Sequence, residues 1–139
     1  MERTRLNFPH ISVEVATVDN IIYVRLSGTY TDEVALALIR HVEPIIEQIP
    51  ANPVRVWDAR GVPAGEFKLT SQCVDVIAKW AQEIKSKKPG SVAYLISPTE
   101  ISFGMSRMYG IKSGLESTGI VALKDVHELP EAIRNRLPL

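Results

Sequence analysis

Ile21-Ile-Tyr-Val-Arg-Leu-Ser27, then Gly28, then Thr31-Asp-Glu-Val-Ala-Leu-Ala-Leu-Ile39 is the stretch on which the fold turns. Up to Ser27 the side chains alternate with a period of two, the pattern of a strand whose two faces meet different surroundings. From Thr31 the apolar positions Ala35, Leu38, Ile39, Val42, Ile46 and Ile49 recur at helical spacing, with Glu33, Arg40, Glu43 and Glu47 on the other side. A strand therefore feeds a helix across one glycine. Thr31 or Asp32 supplies the N-cap. Pro44 lies inside the run, where its missing N–H disturbs the bond to the Arg40 carbonyl, so a kink or an early helix end is expected.

Outward from this stretch the same two rhythms continue. Upstream, His10 to Thr17 alternates with Ile11, Val13 and Val15 on one side, and Asp19-Asn20 suits the tight turn of a β-hairpin with the run from Ile21. Downstream, Val54–Ala59 reads as a short strand, and the turn-rich segment Arg60 to Leu69 is the longest irregular connection. A second amphipathic helix starts near Thr70 or Ser71, with Val74, Ile77, Ala78, Ala81 and Ile84 inward. Val92–Ser97 is a further strand, and a third helix carries Ile101, Met105, Met108, Ile111 and Leu115 as one stripe, with Gly119 expected to stop it. A strand Ile120–Lys124 and a short helix around Pro130 to Leu137 complete the order β-β-α-β-α-β-α-β-α.

Strands alternating with helices require crossovers and parallel pairing, and the initial hairpin adds an antiparallel element. The expectation is one α/β domain spanning 1–139, with a mixed β-sheet of about five strands and helices mainly on one face. Tyr23, Arg25, Arg55 and Trp57 are read as sharing the opposite, open face. That mixture of aromatic residues and arginine is enriched at interfaces, so a homodimer through this face is expected.

Sixteen basic residues balance sixteen acidic ones, leaving no net field to draw the chain onto nucleic acid or an anionic membrane. The single cysteine, Cys73, has no internal disulfide partner, and no signal-peptide run or membrane span is legible, so a cytoplasmic setting is expected.

The order of elements, together with Leu26-Ser-Gly-Thr-Tyr-Thr31, Val54-Arg-Val-Trp-Asp-Ala59, Met105-Ser-Arg-Met-Tyr109 and the closing Glu131-Ala-Ile133 helix, resembles the STAS domain superfamily, specifically its bacterial SpoIIAA-like (STAS/SEC14) branch. The resemblance covers nearly the whole chain. It implies a non-enzymatic regulatory or protein-interaction module like the anti-sigma-factor antagonists, which are switched by phosphorylation of a serine at the start of the helix after the third strand. Ser71 and Thr70 occupy that place here. The usual Asp-Ser dipeptide is replaced by Leu69-Thr-Ser71, and an N-cap role for either hydroxyl is the plain alternative.

No catalytic constellation is legible: there is no Gly-x-Ser-x-Gly elbow, no phosphate loop with its lysine in place, and no metal-ligand spacing among His10, His41 and His127. No cofactor is expected. Cys73 would sit in the first turn of a helix, either with a lowered pKa or as an inert buried thiol. Asp58 falls at the C-terminal end of a strand, where open α/β sheets place binding crevices, and Arg60, Glu100 and Ser102 are candidates for the same rim. The alternative has Asp58 capping the loop backbone and pairing with Arg60. Met105, Met108 and Tyr109 either pack in the core or line an apolar pocket. A carrier or sensor of a small apolar, lipid-like ligand is accordingly the second functional reading.

Overall fold

The computed structural model describes residues 1–116 and 119–139. The main sheet has six strands in the order β1-β2-β3-β5-β7-β8, formed by β1 (Glu2–Phe8), β2 (Ile11–Val18), β3 (Ile21–Gly28), β5 (Val54–Gly61), β7 (Val92–Ile96) and β8 (Ile120–Leu123). Strands β1 to β3 form an antiparallel meander, and β3, β5, β7 and β8 run parallel. The helices α1 (Asp32–Gln48), α2 (Ser71–Lys87) and α3 (Glu100–Ser113) make the three crossovers, and α4 (Glu131–Arg134) follows β8. Two short strands, β4 (Tyr30–Thr31) and β6 (Phe67–Lys68), pair in parallel as a separate ribbon, so the connection after β5 is not wholly irregular. The fold is thus a mixed-sheet α/β domain, as the periodicities imply.

The hairpin turn falls at Asp19, whose φ of 52° is a left-handed conformation that aspartate tolerates. Gly28 is required where β3 ends: its φ is +131°, and a Cβ there would stand 2.3 Å from the His10 carbonyl oxygen. The sixth strand, β1, was not legible. Its residues are mostly exposed, with only Leu6 and Phe8 partly buried against the core, so it lacks the strong alternation of a covered strand.

Helix α1 runs through Pro44, which is exposed, as is Arg40, whose carbonyl loses its partner; a lost bond on the solvent side does not end the helix. Helix α3 stops at Gly114, in the left-handed conformation at φ 73°, and not at Gly119. Its buried face is Ser102, Ser106, Tyr109, Gly110 and Ser113, whereas Ile101 and Ile111 are 54% and 58% exposed. The small side chains face the sheet: a Cβ on Gly110 would meet Ile120 of β8 at 3.7 Å, an ordinary packing distance. Close approach, not apolar character, decides which side of this helix is inward.

The core has two layers. Val13, Val15, Ile22, Val24 and Leu26 meet α1 and α2 on one side of the sheet. On the other, Ala16, Ile21, Tyr23, Val56, Ile96 and Leu123 are covered by Leu129, Ile133 and Leu137 from the C-terminal segment. The second face is therefore shielded in part, and only its β1–β3 side is open.

The N-caps of α1 and α2 differ in kind. Thr70 accepts a hydrogen bond from the Cys73 N–H, while Thr31 makes no side-chain cap bond. Thr70→Ala is expected to lower the unfolding free energy by about 1 kcal/mol, and Thr31→Ala by less than about 0.5 kcal/mol. Urea unfolding of the two variants checks the contrast, and equal losses would contradict this account of the caps.

Candidate functional site

Strand register places the residues that chemistry could use on two opposite faces. Ile22 pairs with Arg55 and Val24 with Trp57, and these four share the helix-covered face. Tyr23 pairs with Val56 and Arg25 with Asp58, and these share the other. The reading that Tyr23, Arg25, Arg55 and Trp57 form one open face is thereby corrected. Tyr23 is fully buried and Arg55 is 1% exposed, and Trp57 is half-buried beneath the helices; Arg25 alone is exposed on the open side. Strand β5 is covered on both faces, so the valines and the arginine-tryptophan pair had no reason to separate by solvent exposure.

On the open side, Arg5, Glu14, Arg25 and Asp58 are successive cross-strand neighbours with alternating charge. Within this row the Arg5 guanidinium and the Glu14 carboxylate approach to 3.9 Å across the antiparallel β1–β2 pair, a contact worth about 0.2–1 kcal/mol. Asp58 closes the row and is itself fully buried. It accepts hydrogen bonds from the Tyr23 hydroxyl, from the Arg60 backbone N–H at 3.1 Å and from the Arg60 guanidinium at 2.6 Å. Burial pushes its carboxyl upward, but the hydrogen bonds from Arg60 and Tyr23 outweigh this and hold it below the usual carboxylate range. Burial, followed by the bond to Asp58, drives the Tyr23 phenol up. Asp58 is a saturated structural anchor, the paired alternative of the two readings.

The other rim candidates do not join it. Ser102 is buried at the start of α3 and bonds to the N-cap residue Thr99, and Glu100 is exposed beside it. Thr70 is occupied twice, as the cap of α2 and as a donor to Asp32 at 2.6 Å, so a phosphate on Thr70 would face a carboxylate; Ser71 is exposed. Cys73 is buried, and burial, then Asp32, pushes its thiol up to about 11, so the thiolate is scarce at neutral pH. Among the described residues no cluster of three or more His, Cys, Asp or Glu is arranged to hold a metal, and no helix is long and apolar enough to cross a membrane.

What the helix side does contain is a cavity of about 70 Å³, where one water needs about 10–15 Å³ on the same scale. Its walls come from the C-terminal halves of the parallel strands (Leu26, Trp57, Ala59, Leu95), from α2 (Val74, Ile77, Trp80) and from α3 (Met105, Tyr109), with Tyr30 and Phe67 of the β4–β6 ribbon at its edge. Met108 is not part of it. The Tyr30 and Phe67 rings meet edge-on at 5.5 Å, and the ribbon is tied by the Thr29 hydroxyl donating to Glu66 at 2.6 Å. The Ser97 and Ser106 hydroxyls in the wall bond to each other at 2.7 Å, which leaves the lining apolar.

Tyr30 and Trp80 were missed in the sequence. Trp80 was findable, since Cys73, Ile77, Trp80 and Ile84 recur at three- and four-residue intervals on α2. Tyr30 carries no such signal, because its place depends on the pairing of β4 with β6.

Arg55 does not line the cavity but contacts two residues that do, Trp80 and Tyr109. Its guanidinium carbon stands 5.4 Å from the centre of the Trp80 ring, and the Tyr109 hydroxyl is close enough to favour its charge. Among the described residues no protein group accepts a hydrogen bond from Arg55 Nε, Arg55 Nη1 or Trp80 Nε1, and none of the ion pairs involves Arg55. Burial pulls this arginine's pKa below its ordinary value, with Tyr109 opposing.

Compared with protein-family models, curated proteins and solved structures, the chain matches none.

Proposed function

We propose that this domain is a binding module that takes up a small apolar ligand, as a carrier or sensor, in the cavity between the sheet and helices α1 to α3. The observation that carries this reading is the cavity itself, mostly apolar and set at the C-terminal ends of β3, β5 and β7. The strand order runs in one direction with all three crossover helices on one face, so the cavity lies between the sheet and that helix layer. Aromatic and aliphatic walls with few polar groups are what small-molecule sites consist of. Ile39, Phe67, Leu69, Ile77 and Met105 are partly exposed, so the lining reaches the surface.

The interaction module implied by the STAS resemblance is the other reading. The face of Tyr23, Arg25, Arg55 and Trp57 expected to mediate a homodimer loses Tyr23 and Arg55 to burial, so no exposed surface adds support to that reading. The cavity therefore takes precedence.

Both tryptophans of the chain, Trp57 and Trp80, line the cavity, so intrinsic fluorescence reports on its contents. Titration with octan-1-ol is expected to shift the emission in a saturable way. Ala59→Leu, which fills the cavity from its β5 wall, is expected to weaken that response at least tenfold, with circular dichroism confirming the fold. A linear, non-saturating response in the unmodified protein would refute the reading.

A further inference from the structure

We propose that the ligand of this cavity is an apolar monocarboxylate, with its tail among the cavity walls and its carboxylate paired with Arg55. The proposal rests on the binding reading above and adds the chemical class of the ligand.

Three hydrogen-bond donors carry it. Arg55 Nε, Arg55 Nη1 and Trp80 Nε1 are buried and meet no protein acceptor among the described residues. Buried donors are ordinarily paired, and a buried guanidinium is ordinarily matched to an anion, because stripping water from either without replacement is costly. The deficit here is entirely of acceptors. A neutral apolar ligand would leave it untouched, and a cationic ligand would add to it. A carboxylate supplies the negative charge and the acceptor oxygens that these donors lack.

The placement of these donors agrees. Trp80 lines the cavity and also lies against the Arg55 guanidinium, and Tyr109 touches both as well. Along β5, Arg55 is two residues before Trp57 on the same face, so it stands one row deeper than the Trp57–Leu95 floor, beside Ala93. Arg55 and Ala93 do not themselves line the cavity, so the carboxylate meets Arg55 past Trp80 and Tyr109, the lining residues that contact the guanidinium. The carboxylate accordingly sits at the inner end and the tail points toward Ile39, Phe67 and Met105.

A short carboxylate without a tail buries no apolar surface in the cavity and so gains little beyond its contact with Arg55. Apolar tail and carboxylate are required together.

The test compares octanoate with octan-1-ol on the unmodified protein by tryptophan fluorescence and calorimetry at neutral pH, with acetate as the tail-less control. Octanoate is expected to bind at least tenfold more tightly than octan-1-ol, and acetate to cause no saturable change. In Arg55→Met the octanoate preference is expected to vanish while octan-1-ol binding persists. In Arg55→Lys, which keeps the charge but not the fork, an intermediate preference is expected.

Equal affinity for octanoate and octan-1-ol, or an octanoate preference that survives in Arg55→Met, would overturn the carboxylate assignment and leave the apolar cavity standing. Binding of neither compound would overturn the cavity reading itself.

Discussion

Arg55→Met is expected to raise the unfolding free energy of the ligand-free protein by about 1–3 kcal/mol. Met has nearly the stem of arginine without its charge, so the substitution fills the same space beside Trp80 and Tyr109. It removes Nε and Nη1, the two guanidinium nitrogens that no protein group meets. What is lost is the interaction with the Trp80 ring and the Tyr109 hydroxyl, a smaller contribution than the desolvation it accompanies. Urea unfolding followed by circular dichroism is the measurement, because Trp80 fluorescence changes with its neighbour. A loss of stability of the same size would mean that Trp80 and Tyr109 already satisfy the guanidinium. With the expected gain, the wild-type residue costs the empty protein stability and returns it only with an anionic ligand in place, the usual trade at sites that bind.

Asp58→Asn is the substitution with the largest expected loss, about 3 kcal/mol at neutral pH. Asparagine keeps the shape but turns an amide donor toward the Arg60 guanidinium and weakens the acceptor for the Tyr23 hydroxyl. Arg60 is partly exposed and can swing into water, which keeps the loss from being larger. Tyr23→Phe removes one donor and leaves the Asp58–Arg60 pair, so its expected loss is smaller, about 1–2 kcal/mol.

The pH dependence has a definite sign. Asp58 has a lowered pKa in the folded protein against about 3.9 in an unfolded chain. Its stabilisation is therefore complete above about pH 4 and is lost as the pH falls through the lower folded value. The gap between wild type and Asp58→Asn should narrow below about pH 4. A gap that stays constant to pH 2, or widens, would show that the carboxylate charge is not what stabilises this site.

The local elements were legible because their causes are local. Asp19-Asn20 closes a hairpin whatever surrounds it, Thr70 caps α2 through a hydroxyl three residues from the N–H it accepts, and the spacing of Ala35, Leu38, Val42 and Ile46 makes a helix with one apolar stripe. Helix α3 shows where such reasoning stops. Its apolar residues Ile101 and Ile111 point to water, because the serines and Gly110 permit a closer approach to the sheet than those side chains would.

Apart from β1 and the short β4 and β6, the sequence by itself determined the element types, their order and hence a mixed parallel–antiparallel sheet, since periodicity and chain chirality act within and between neighbouring segments. Only the tertiary structure decided which way β5 faces. A strand shielded on both sides has no solvent side to bias its alternation, so the side on which Arg55 and Trp57 lie follows from registry with β3 and β7. That registry split the supposed docking surface between two faces, leaving Tyr23 and Arg25 on one and placing Trp57 in the cavity wall and Arg55 beside Trp80 on the other.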